Sequence, residues 1–570
     1  MDNEEIAKVF NEIADLLDIK GVQFKPRAYR RAAREIESLS RGVVEIYRDG
    51  NLEDIPAVGE NIAEKIEELI ETDGLEYLEK LKEEIPIDSG LLKVRNLGPK
   101  KAKKIWEELG VTTIDELEKA ISEGKVRELP GFGKKSEKNI SKGLKIVERT
   151  RGKYLINEVL PVGERIKGKL LDSNLFDKVQ VAGSLRRHKY LIGDIDILGT
   201  SLNPNRAMDF YTGLDEVDEV ISKGETKSSV RLDNDIRIDL RLVAGDSFGA
   251  ASQYFTGSQP HNVRLRELAI SQGYKLSEYG LFRADNEEKV AGETEESIYE
   301  KLGLNWIPPE LREDRGEIDA AKMGKLPQLI TEGDVNGDLH CHSTRSGDGK
   351  NELADLADEA AKRGYSYLAV TDHADAPGVI SGIKEGDVEE HIAQIRAINE
   401  RYDDVHLLEG VEANVQPDGS FRLSDGALEQ LDIVVAGVHS HFDMEEEGMT
   451  ERLLRAIAHR EVNIVAHPTG RKVGERDSFS LNWEKVFNKA RECNTALEIN
   501  ASPSRFDLDD RLIKGAIDRG VKLSIGTDSH QLRHLDFMQL GIYLARRGWA
   551  QESDVINALR YEELISWLEK

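Results

Sequence analysis

The chain has 570 residues, of which 39% are hydrophobic and 33% are charged, and its formal net charge is −28. This length exceeds what one hydrophobic core supports, so we expect about three to five domains in a polar, globular protein. Two cysteines exclude a disulfide framework, and no apolar run approaches the roughly 20 residues of a membrane-spanning helix. The acidic start lacks the basic and apolar regions of a secretory signal, which predicts a cytoplasmic protein with no membrane partner.

Helical periodicity dominates residues 1–150, where apolar residues recur at helical spacing. Residues 155–180 are predicted to form a helix that leads into a strand, and strands dominate up to residue 250. Helices resume at 249, and residues 319–336 are predicted to be a linker. Beyond the linker, strands such as YLAVTDH, LDIVVAGVHS and VKLSIGTDSH alternate with helical segments. This alternation predicts a parallel α/β barrel or a doubly wound sheet.

One pattern occurs three times in the first 150 residues, as IPAVGENIAEKI, VRNLGPKKAKKI and ELPGFGKKSEKNI. Each copy has a glycine-containing turn followed at once by a helix, so backbone N–H groups point outward at an anion. This helix-hairpin-helix pattern predicts binding to the DNA backbone without sequence reading, although the acidic net charge alone argues against nucleic acid. In the first copy, Ala57 replaces the usual glycine. The predicted contacts are Gly59, Gly98, Lys100, Gly131, Gly133 and Lys134.

The stretch GDIDIL (193–198) places Asp194 and Asp196 on one face of a predicted strand. Two carboxylates this close repel each other unless a cation lies between them. A second strand, NDIRIDLRLV, alternates apolar and charged residues and offers a third carboxylate from Asp235 or Asp239. Three carboxylates are what two Mg²⁺ ions need to bridge a triphosphate and a 3′-hydroxyl. The bland alternative is an edge strand with solvated aspartates, and spacing does not choose between Asp235 and Asp239.

The stretches GSLRRHKYLIGDIDIL, IDLRLV and QYFTGSQPHNVRLR resemble the palm of family X DNA polymerases, the group that includes DNA polymerase beta. The resemblance implies that Asp194, Asp196 and Asp239 bind Mg²⁺ or Mn²⁺ and are the catalytic carboxylates. It implies triphosphate contacts from Gly183, Ser184 and Arg187, and a sugar pocket from Tyr254, Phe255 and Gly257. By the same resemblance, Asn262 contacts the incoming nucleotide and Arg266 the template. Tyr190 departs from the family, which usually has glutamate there.

The amino-terminal stretches FKPRAYRRAA and VGENIAEKI resemble the small lyase domain of the same family. By this resemblance, Lys65 is the lysine that forms a Schiff base with an abasic-site sugar, and Lys25 and Tyr29 bind its phosphate. A Schiff-base lysine needs a lowered pKa, and the neighbouring glutamates, among them Glu64, are expected to oppose that. The alternative is a surface lysine or a DNA-phosphate contact.

Of 13 histidines, only His188 and His261 precede residue 340. The carboxy-terminal region has histidines and carboxylates at the ends of six predicted strands, in DLHCHSTRSGDG, VTDHAD, GVEANV, AGVHSHF, VAHPTGR and IGTDSH. Strand ends of a β/α barrel converge on one face, so this pattern predicts a hydrolytic site with several metals. The set resembles the PHP (polymerase and histidinol phosphatase) domain. The resemblance implies three divalent metals (Mn²⁺, Zn²⁺ or Fe) bound by His340, His342, Asp348, His373, Glu412, His439, His467, Asp528 and His530.

Two departures and one further residue in this region bear on the prediction. Gly347 is inserted before Asp348, and Asn414 stands where these domains often have aspartate. Arg471 is a candidate for holding a substrate phosphate.

The predicted fold is a multidomain chain of helical helix-hairpin-helix domains, an α+β nucleotidyltransferase palm with a helical thumb, and a distorted PHP barrel. The predicted domains are a lyase-like domain (1–87), a helix-hairpin-helix domain (88–150), the palm (151–248), the thumb (249–318), the linker (319–336) and the PHP domain (337–570).

The predicted function is a monomeric repair polymerase that fills short gaps in base excision repair. It would use deoxynucleoside triphosphates and gapped or primer–template DNA. The PHP domain would act as a 3′–5′ exonuclease, with AP endonuclease or 3′-phosphatase activity as further options. One alternative is a DNA-end-processing hydrolase whose palm only binds DNA, and another is a scaffold without catalysis. A histidinol-phosphate phosphatase fits the carboxy-terminal part alone and leaves the first 320 residues unexplained.

Overall fold

A computed structural model describes residues 3–37, 39, 41–72, 74–374 and 382–569. The chain forms two compact units. The first consists of Met1–Arg151 with the loop Lys472–Asp477, and the second consists of Gly152–Arg471 with Ser478–Lys570. Among the described residues, no helix combines the length and the apolar character required to cross a membrane.

The first unit is helical and has one continuous apolar core, to which the helices contribute alternate faces. Ile6, Phe10, Ile13 and Leu17 lie on one stripe of the first helix and are buried there. The helices are α1 (Asn3–Lys20), α2 (Lys25–Glu37), α3 (Val43–Arg48), α4 (Glu60–Thr72), α5 (Glu76–Glu84), α6 (Ser89–Leu92), α7 (Pro99–Leu109), α8 (Ile114–Ser122) and α9 (Lys134–Thr150).

The three predicted hairpins share one backbone conformation. Ala57, Asn96 and Gly131 occupy equivalent positions, and their φ angles are 64°, 69° and 85°. In each copy the next residue donates its backbone N–H across the turn at 3.0 Å, and a helix begins two residues after that donor. Ala57 therefore keeps the turn that glycine usually forms, at a cost of about 1 kcal/mol for the left-handed backbone.

The second unit begins with the palm, in which a five-stranded mixed sheet carries helices on its flanks. Its strand order is β2–β4–β7–β6–β5, and β4 and β7 run parallel while the other neighbours are antiparallel. The elements are β1 (Tyr154–Leu155), α10 (Ile156–Asp172), β2 (Lys178–Val181), α11 (Gly183–Arg186), β3 (Leu191–Ile192), β4 (Ile195–Thr200), α12 (Pro204–Thr212), β5 (Val217–Lys223), β6 (Lys227–Leu232) and β7 (Arg237–Leu242).

The thumb follows with helices around its own apolar cluster and a three-stranded antiparallel sheet. A buried ion pair joins it to the palm, because Glu295 accepts hydrogen bonds from both Arg186 and Arg312 at 2.6–2.9 Å. The elements are α13 (Phe248–Thr256), α14 (Gln259–Ser271), β8 (Tyr274–Ser277), β9 (Gly280–Arg283), β10 (Lys289–Ala291), α15 (Glu295–Lys301) and α16 (Glu317–Lys322).

The carboxy-terminal part is a nearly closed barrel of seven parallel strands in sequence order, with helices outside. The first and last strands also meet, since Asp528 N–H donates to the His340 carbonyl at 2.9 Å. The elements are β11 (Gly337–Cys341), α17 (Leu353–Arg363), β12 (Tyr367–His373), α18 (Val388–Asn399), β13 (His406–Asn414), α19 (Asp425–Leu428), β14 (Ile433–Gly437), α20 (Glu446–Ile457), β15 (Ile464–Val465), α21 (Trp483–Glu492), β16 (Ala496–Asn500), α22 (Asp510–Ile517), β17 (Leu523–Gly526), α23 (Met538–Arg547) and α24 (Tyr561–Leu568).

The palm and the barrel also pack against each other within this unit. The Tyr190 ring lies 5.7 Å from the Phe506 ring, and the Arg471 guanidinium lies 4.8 Å above the Tyr190 ring. Arg471 also donates from Nε to the Arg505 carbonyl at 2.7 Å. Tyr190, where the sequence departs from the family that it resembles, thus contacts the barrel, and Arg471, the candidate phosphate ligand, takes part in that contact.

Two candidate metal centres

The carboxylates of the palm meet at one edge of its sheet. Strands β4 and β7 are parallel, and their register pairs Asp196 directly with Asp239. Asp194 immediately precedes Ile195, the first residue of β4. Asp235 instead lies in the turn before β7 with a φ of 64°, and its side chain is 83% exposed. The register therefore gathers Asp194, Asp196 and Asp239, and it leaves Asp235 outside.

The carboxylates of this cluster repel one another, which favours a bound cation. Burial, followed by the charges of Asp194 and Asp239, raises the pKa of Asp196 to about 6. Asp239 is held ionised, because Lys227 and Arg237 lie 2.7 and 2.9 Å from its oxygens and outweigh its burial. Close carboxylates of this kind fit divalent cations with oxygen ligands. The residues that would hold them are Asp194, Asp196 and Asp239.

The glycine turn before β4 packs directly on this cluster. Gly183 has a φ of 64°, and a Cβ added to it would lie 2.4 Å from Asp196 Oδ2. Only glycine therefore lets the turn approach the carboxylate so closely. Ser184 follows in the same short helix and is half-buried, whereas Arg187 is buried and donates to Glu313 at 2.9 Å and to the Thr256 carbonyl at 2.7 Å.

The predicted sugar pocket lies at the turn between α13 and α14, at the start of the thumb, where hydrogen bonds from Asn262 hold the backbone. Asn262 donates from Nδ2 to the carbonyls of Tyr254 (2.7 Å) and Gly257 (3.1 Å). A Cβ at Gly257 would lie 2.3 Å from Asn262 Oδ1, so the close contact requires glycine there. The Phe255 ring stacks edge-on against Tyr254, with ring centroids 5.1 Å apart. Arg266 is exposed one helical turn beyond Asn262.

The predicted lyase residues lie together on the first unit. Lys65 is half-buried and donates from Nζ to Asn61 Oδ1 at 2.8 Å, and its Nζ lies 5.2 Å from the Tyr77 ring centroid. Burial lowers the pKa of Lys65, and Lys25 acts in the same direction, while Glu64 and Glu68 oppose the change without reversing it. Glu64 and Glu68 thus oppose the lowered pKa of Lys65, as expected from the sequence, but burial is the larger effect.

The phosphate ligands predicted for the first unit differ in exposure. Tyr29 is buried between the Phe10 and Tyr77 rings, and burial followed by Tyr77 raises its pKa to about 12. Lys25, Lys100 and Lys134 are exposed. Gly98 and Gly133 are the amino-terminal caps of the helices that follow their turns, and Gly59 directly precedes α4, whereas Gly131 lies in the turn itself. The hairpin turns thus present lysines and helix amino termini.

The nine residues predicted in the barrel converge at the carboxyl ends of its strands. His340 lies within β11, His373 ends β12, Glu412 lies near the end of β13, and the others follow their strands by one or more residues. Glu412 is central: its oxygens lie 2.9–3.0 Å from nitrogens of His373, His439 and His467. The described residues contain three groups whose ligand atoms lie within 4.8 Å of one another: His342, His373 and His530; His340, His342 and Glu412; and His373, Glu412 and His439.

Asp348 reaches this cluster despite the inserted Gly347. Its Oδ2 lies 3.2 Å from His530 Nε2 and 3.7 Å from His373 Nε2. The loop that carries it is anchored by Asp372, whose oxygens accept hydrogen bonds from the Ser343 and Ser346 hydroxyls at 2.6 and 2.8 Å. The longer loop is thus fixed from below by a buried carboxylate.

The chemistry of the cluster fits bound metals. Burial and the adjacent His530 lower the pKa of His342 to about 4, so its ring is neutral at pH 7, as a metal ligand must be. His342 Nε2 and His340 Nε2 nevertheless face each other at 3.1 Å. Asp348 Oδ1 is buried and has no hydrogen-bond partner among the described residues. Histidine nitrogens and carboxylate oxygens gathered in this way are ligands to which divalent metals would bind.

The sequence prediction missed the groups that orient these ligands. Glu498 lies within β16, and its Oε1 is 2.6 Å from His340 Nδ1, while its Oε2 accepts the His467 N–H at 2.6 Å. Asn500 donates to Asp528 Oδ2 at 3.2 Å, as does Arg505. The available signal was a single glutamate in the apolar strand TALEIN. Two residues beside predicted ligands in the sequence are not among the nine: Cys341 is buried in an apolar cluster, and His441 is exposed.

Comparisons with known proteins agree with this architecture. Four family models match parts of the chain. Residues 1–75 match a helix-hairpin-helix domain, and residues 88–145 match a SAM-like helix-hairpin-helix tandem. Residues 251–313 match the DNA polymerase beta thumb, and residues 338–501 match the PHP domain. A probable phosphatase of Thermoanaerobacter sp. (strain X514) is 30% identical over 34% of this chain and 78% of its own length. One of Caldanaerobacter subterraneus subsp. tengcongensis is 31% identical over 34% and 75%.

A full-length relative was also found, the DNA polymerase/3′-5′ exonuclease PolX of Bacillus subtilis (strain 168). It is 34% identical over 574 residues, which cover 100% of both chains. These matches confirm the predicted family and fold class, and the chain belongs to the family X DNA polymerases that carry a carboxy-terminal PHP domain, the PolX family.

Proposed function

We propose that the protein extends DNA 3′ ends at the palm and hydrolyses them at the barrel. The observation that supports the first activity is the parallel register of Asp196 with Asp239 beneath the Gly183 turn. The palm carboxylates would hold two Mg²⁺ or Mn²⁺ ions, which when bound lower the pKa of the attacking 3′-hydroxyl and balance the charge of the leaving pyrophosphate.

The chain's own residues would orient the nucleotide. Backbone N–H groups of the Gly183–Ser184 turn and the Arg187 guanidinium would bind the triphosphate. The turn at Tyr254, Phe255 and Gly257 would hold the sugar, and Asn262 stabilises that turn by hydrogen bonds. Arg266 would contact the template strand, and the lysines and helix amino termini of the hairpins would hold the DNA backbone without reading its sequence.

The second activity is supported by nine ligand-type residues, of which Glu412 is the central one. They would hold three divalent metals, Mn²⁺, Zn²⁺ or Fe, which when bound activate a water molecule for phosphoester hydrolysis. The PolX relative is named a 3′-5′ exonuclease, and the same chemistry on a 3′ end is our proposal here, with AP endonuclease or 3′-phosphatase activity as further options. We also propose a monomer that fills gaps in base excision repair in the cytoplasm.

Primer extension on gapped DNA with Mg²⁺ and deoxynucleoside triphosphates tests the polymerase. Asp239→Ala is expected to abolish extension, because it removes one of three carboxylates. Asp235→Ala is the matched control, since it deletes an exposed carboxylate four residues away and is expected to leave extension unchanged. Extension that persists in Asp239→Ala, or that fails in the wild type, would instead favour a hydrolase whose palm only binds DNA.

A further inference from the structure

The Arg187 side chain is held by two residues of the thumb, Glu313 and Thr256. It is only 8% exposed, and its Nε donates to Glu313 Oε1 at 2.9 Å. Its other visible partner is the Thr256 carbonyl, which accepts from Nη1 at 2.7 Å. A guanidinium in this position can meet a nucleotide phosphate only by loosening its ion pair with Glu313.

The same carboxylate oxygen is shared with an arginine of the barrel. Arg547, at the end of α23, donates from both Nη1 and Nη2 to Glu313 Oε1 at 3.2 Å. Its Nη1 also donates to the Arg187 carbonyl at 2.7 Å, and its Nη2 contacts Asp510. Arg547 is 3% exposed, so water does not weaken these contacts. Arg547 and Arg187 therefore compete for one oxygen of Glu313.

Cations outnumber carboxylates at this junction. Within the described part of the chain, four basic side chains face two acidic ones there: Arg187, Lys189, Arg315 and Arg547 against Glu313 and Asp510. Burial lowers the pKa of Lys189, and Arg187 and Arg547 reinforce that while Glu313 opposes it. The excess positive charge lies beside the turn that begins at Gly183, where a triphosphate would supply the missing negative charge.

A second contact fixes the same helix to the same segment of the palm. Tyr543, one helical turn before Arg547, stacks on His188 with ring centroids 3.6 Å apart and an interplanar angle of 12°. Residues four apart lie on one helix face. Helix α23 is thus aligned along the segment Arg187–His188, and the position of Arg547 is set by packing as well as by charge.

We propose that Arg547 of the barrel is a positioning residue for the nucleotide site of the palm. By sharing Glu313 Oε1, it weakens the hold of Glu313 on Arg187 and leaves that guanidinium available to a triphosphate. This inference rests on the proposed role of Arg187 in nucleotide binding. It makes the hydrolase domain a contributor to the affinity of the polymerase for nucleotide.

The test is steady-state gap filling by the full-length chain over a series of deoxynucleotide concentrations. Arg547→Met leaves Glu313 with Arg187 as its main partner, so the KM for nucleotide is expected to rise about tenfold, while kcat changes by less than about twofold. Adding Glu313→Gln to Arg547→Met is expected to return the KM to within about twofold of wild type. The neutral glutamine no longer holds the Arg187 guanidinium by charge.

Arg546→Met is the matched control. Arg546 is the neighbouring residue on α23 and likewise pairs with a thumb glutamate, Glu310, at 2.7 Å, but it does not contact Arg187 or Glu313. It is expected to leave KM unchanged. An equal rise in KM for Arg546→Met, an unchanged KM for Arg547→Met, or no rescue by Glu313→Gln would each overturn the inference.

Two further arms keep the result decisive. If Arg547→Met does not fold, Glu313→Gln alone carries the test: its KM is expected to fall about threefold, and an unchanged or raised KM overturns the inference. Arg187→Met separates this inference from the proposed function. A raised KM there with an unchanged KM in Arg547→Met refutes only the role of Arg547, whereas an unchanged KM in Arg187→Met refutes the proposed triphosphate contact itself.

Discussion

Replacing Glu498 with glutamine is expected to weaken metal binding in the barrel although Glu498 is not itself among the predicted ligands. Its Oε1 lies 2.6 Å from His340 Nδ1, which fixes the hydrogen on that nitrogen and leaves Nε2 for a metal. The glutamine keeps the size and an acceptor but loses the charge. Outer carboxylates of this kind typically change metal affinity by roughly 10- to 100-fold, which is about 1.4–2.7 kcal/mol at 1.36 kcal/mol per tenfold.

Calorimetric titration with Mn²⁺ measures this loss directly, and release of 3′-terminal nucleotides across a buffered Mn²⁺ series measures it through activity. The half-saturating Mn²⁺ concentration is expected to rise by roughly 10- to 100-fold, and saturating metal should recover most of the rate. Glu409→Gln is the matched control, because Glu409 is a buried glutamate of β13 that pairs with Arg396 at 2.6 Å. If Glu498→Gln titrates like Glu409→Gln or wild type, the assigned role of Glu498 is wrong.

Three other outcomes are expected. His342→Ala should abolish 3′ hydrolysis and spare gap filling, because His342 belongs to two of the three ligand groups; loss of both activities would refute two separate sites. Lys65→Ala should abolish borohydride trapping on abasic-site DNA, whereas persistent trapping would exclude Lys65 as the nucleophile. Glu295→Gln should lower the free energy of unfolding by about 3–5 kcal/mol at pH 7, measured by urea denaturation, since it breaks the buried ion pair.

The Glu295 effect has a defined pH dependence. Burial raises the pKa of Glu295, but Arg312 and Arg186 more than offset it and hold that pKa well below 4.5. A lowered carboxyl pKa stabilises the fold fully above the unfolded value and progressively less as the pH falls toward the folded value. The difference between wild type and Glu295→Gln should therefore shrink below about pH 4.3, and a constant difference between pH 7 and pH 3 would contradict the assignment.

Short motifs predicted the fold class, and they predicted candidate site residues that the structure brings together at each centre, because each motif encodes a local backbone geometry. The Gly-containing hairpins are an example, since equivalent residues in all three copies adopt the same left-handed turn. Alternation along a strand could not choose between Asp235 and Asp239, because both have the same parity. The choice depends on the register of β7 beside β4, which is a property of the folded sheet.

The burial of side chains and the contacts between domains could not be predicted from the sequence. The sequence showed the glutamates that oppose a lowered pKa of Lys65, but it could not show that burial outweighs them. Glu498 was missed because a single carboxylate in an apolar strand carries no spacing signature. The sequence showed that Tyr190 departs from the family pattern. It could not show that the Tyr190 ring packs against Phe506, which lies more than 300 residues away in the chain. The proposed roles of the site residues, the monomeric state and the cytoplasmic location stay predictions.

The side chains that the palm and barrel bury in each other limit how the gene can be divided. A fragment ending near residue 336 would lose Arg547 and Phe506, so Glu313 and the Tyr190 ring would face water. A barrel fragment would carry the complementary surface, with Arg547 and Tyr543 uncovered. Truncation would therefore change the activity that it is meant to isolate, whereas two fragments expressed together have the shape and charge to reassociate.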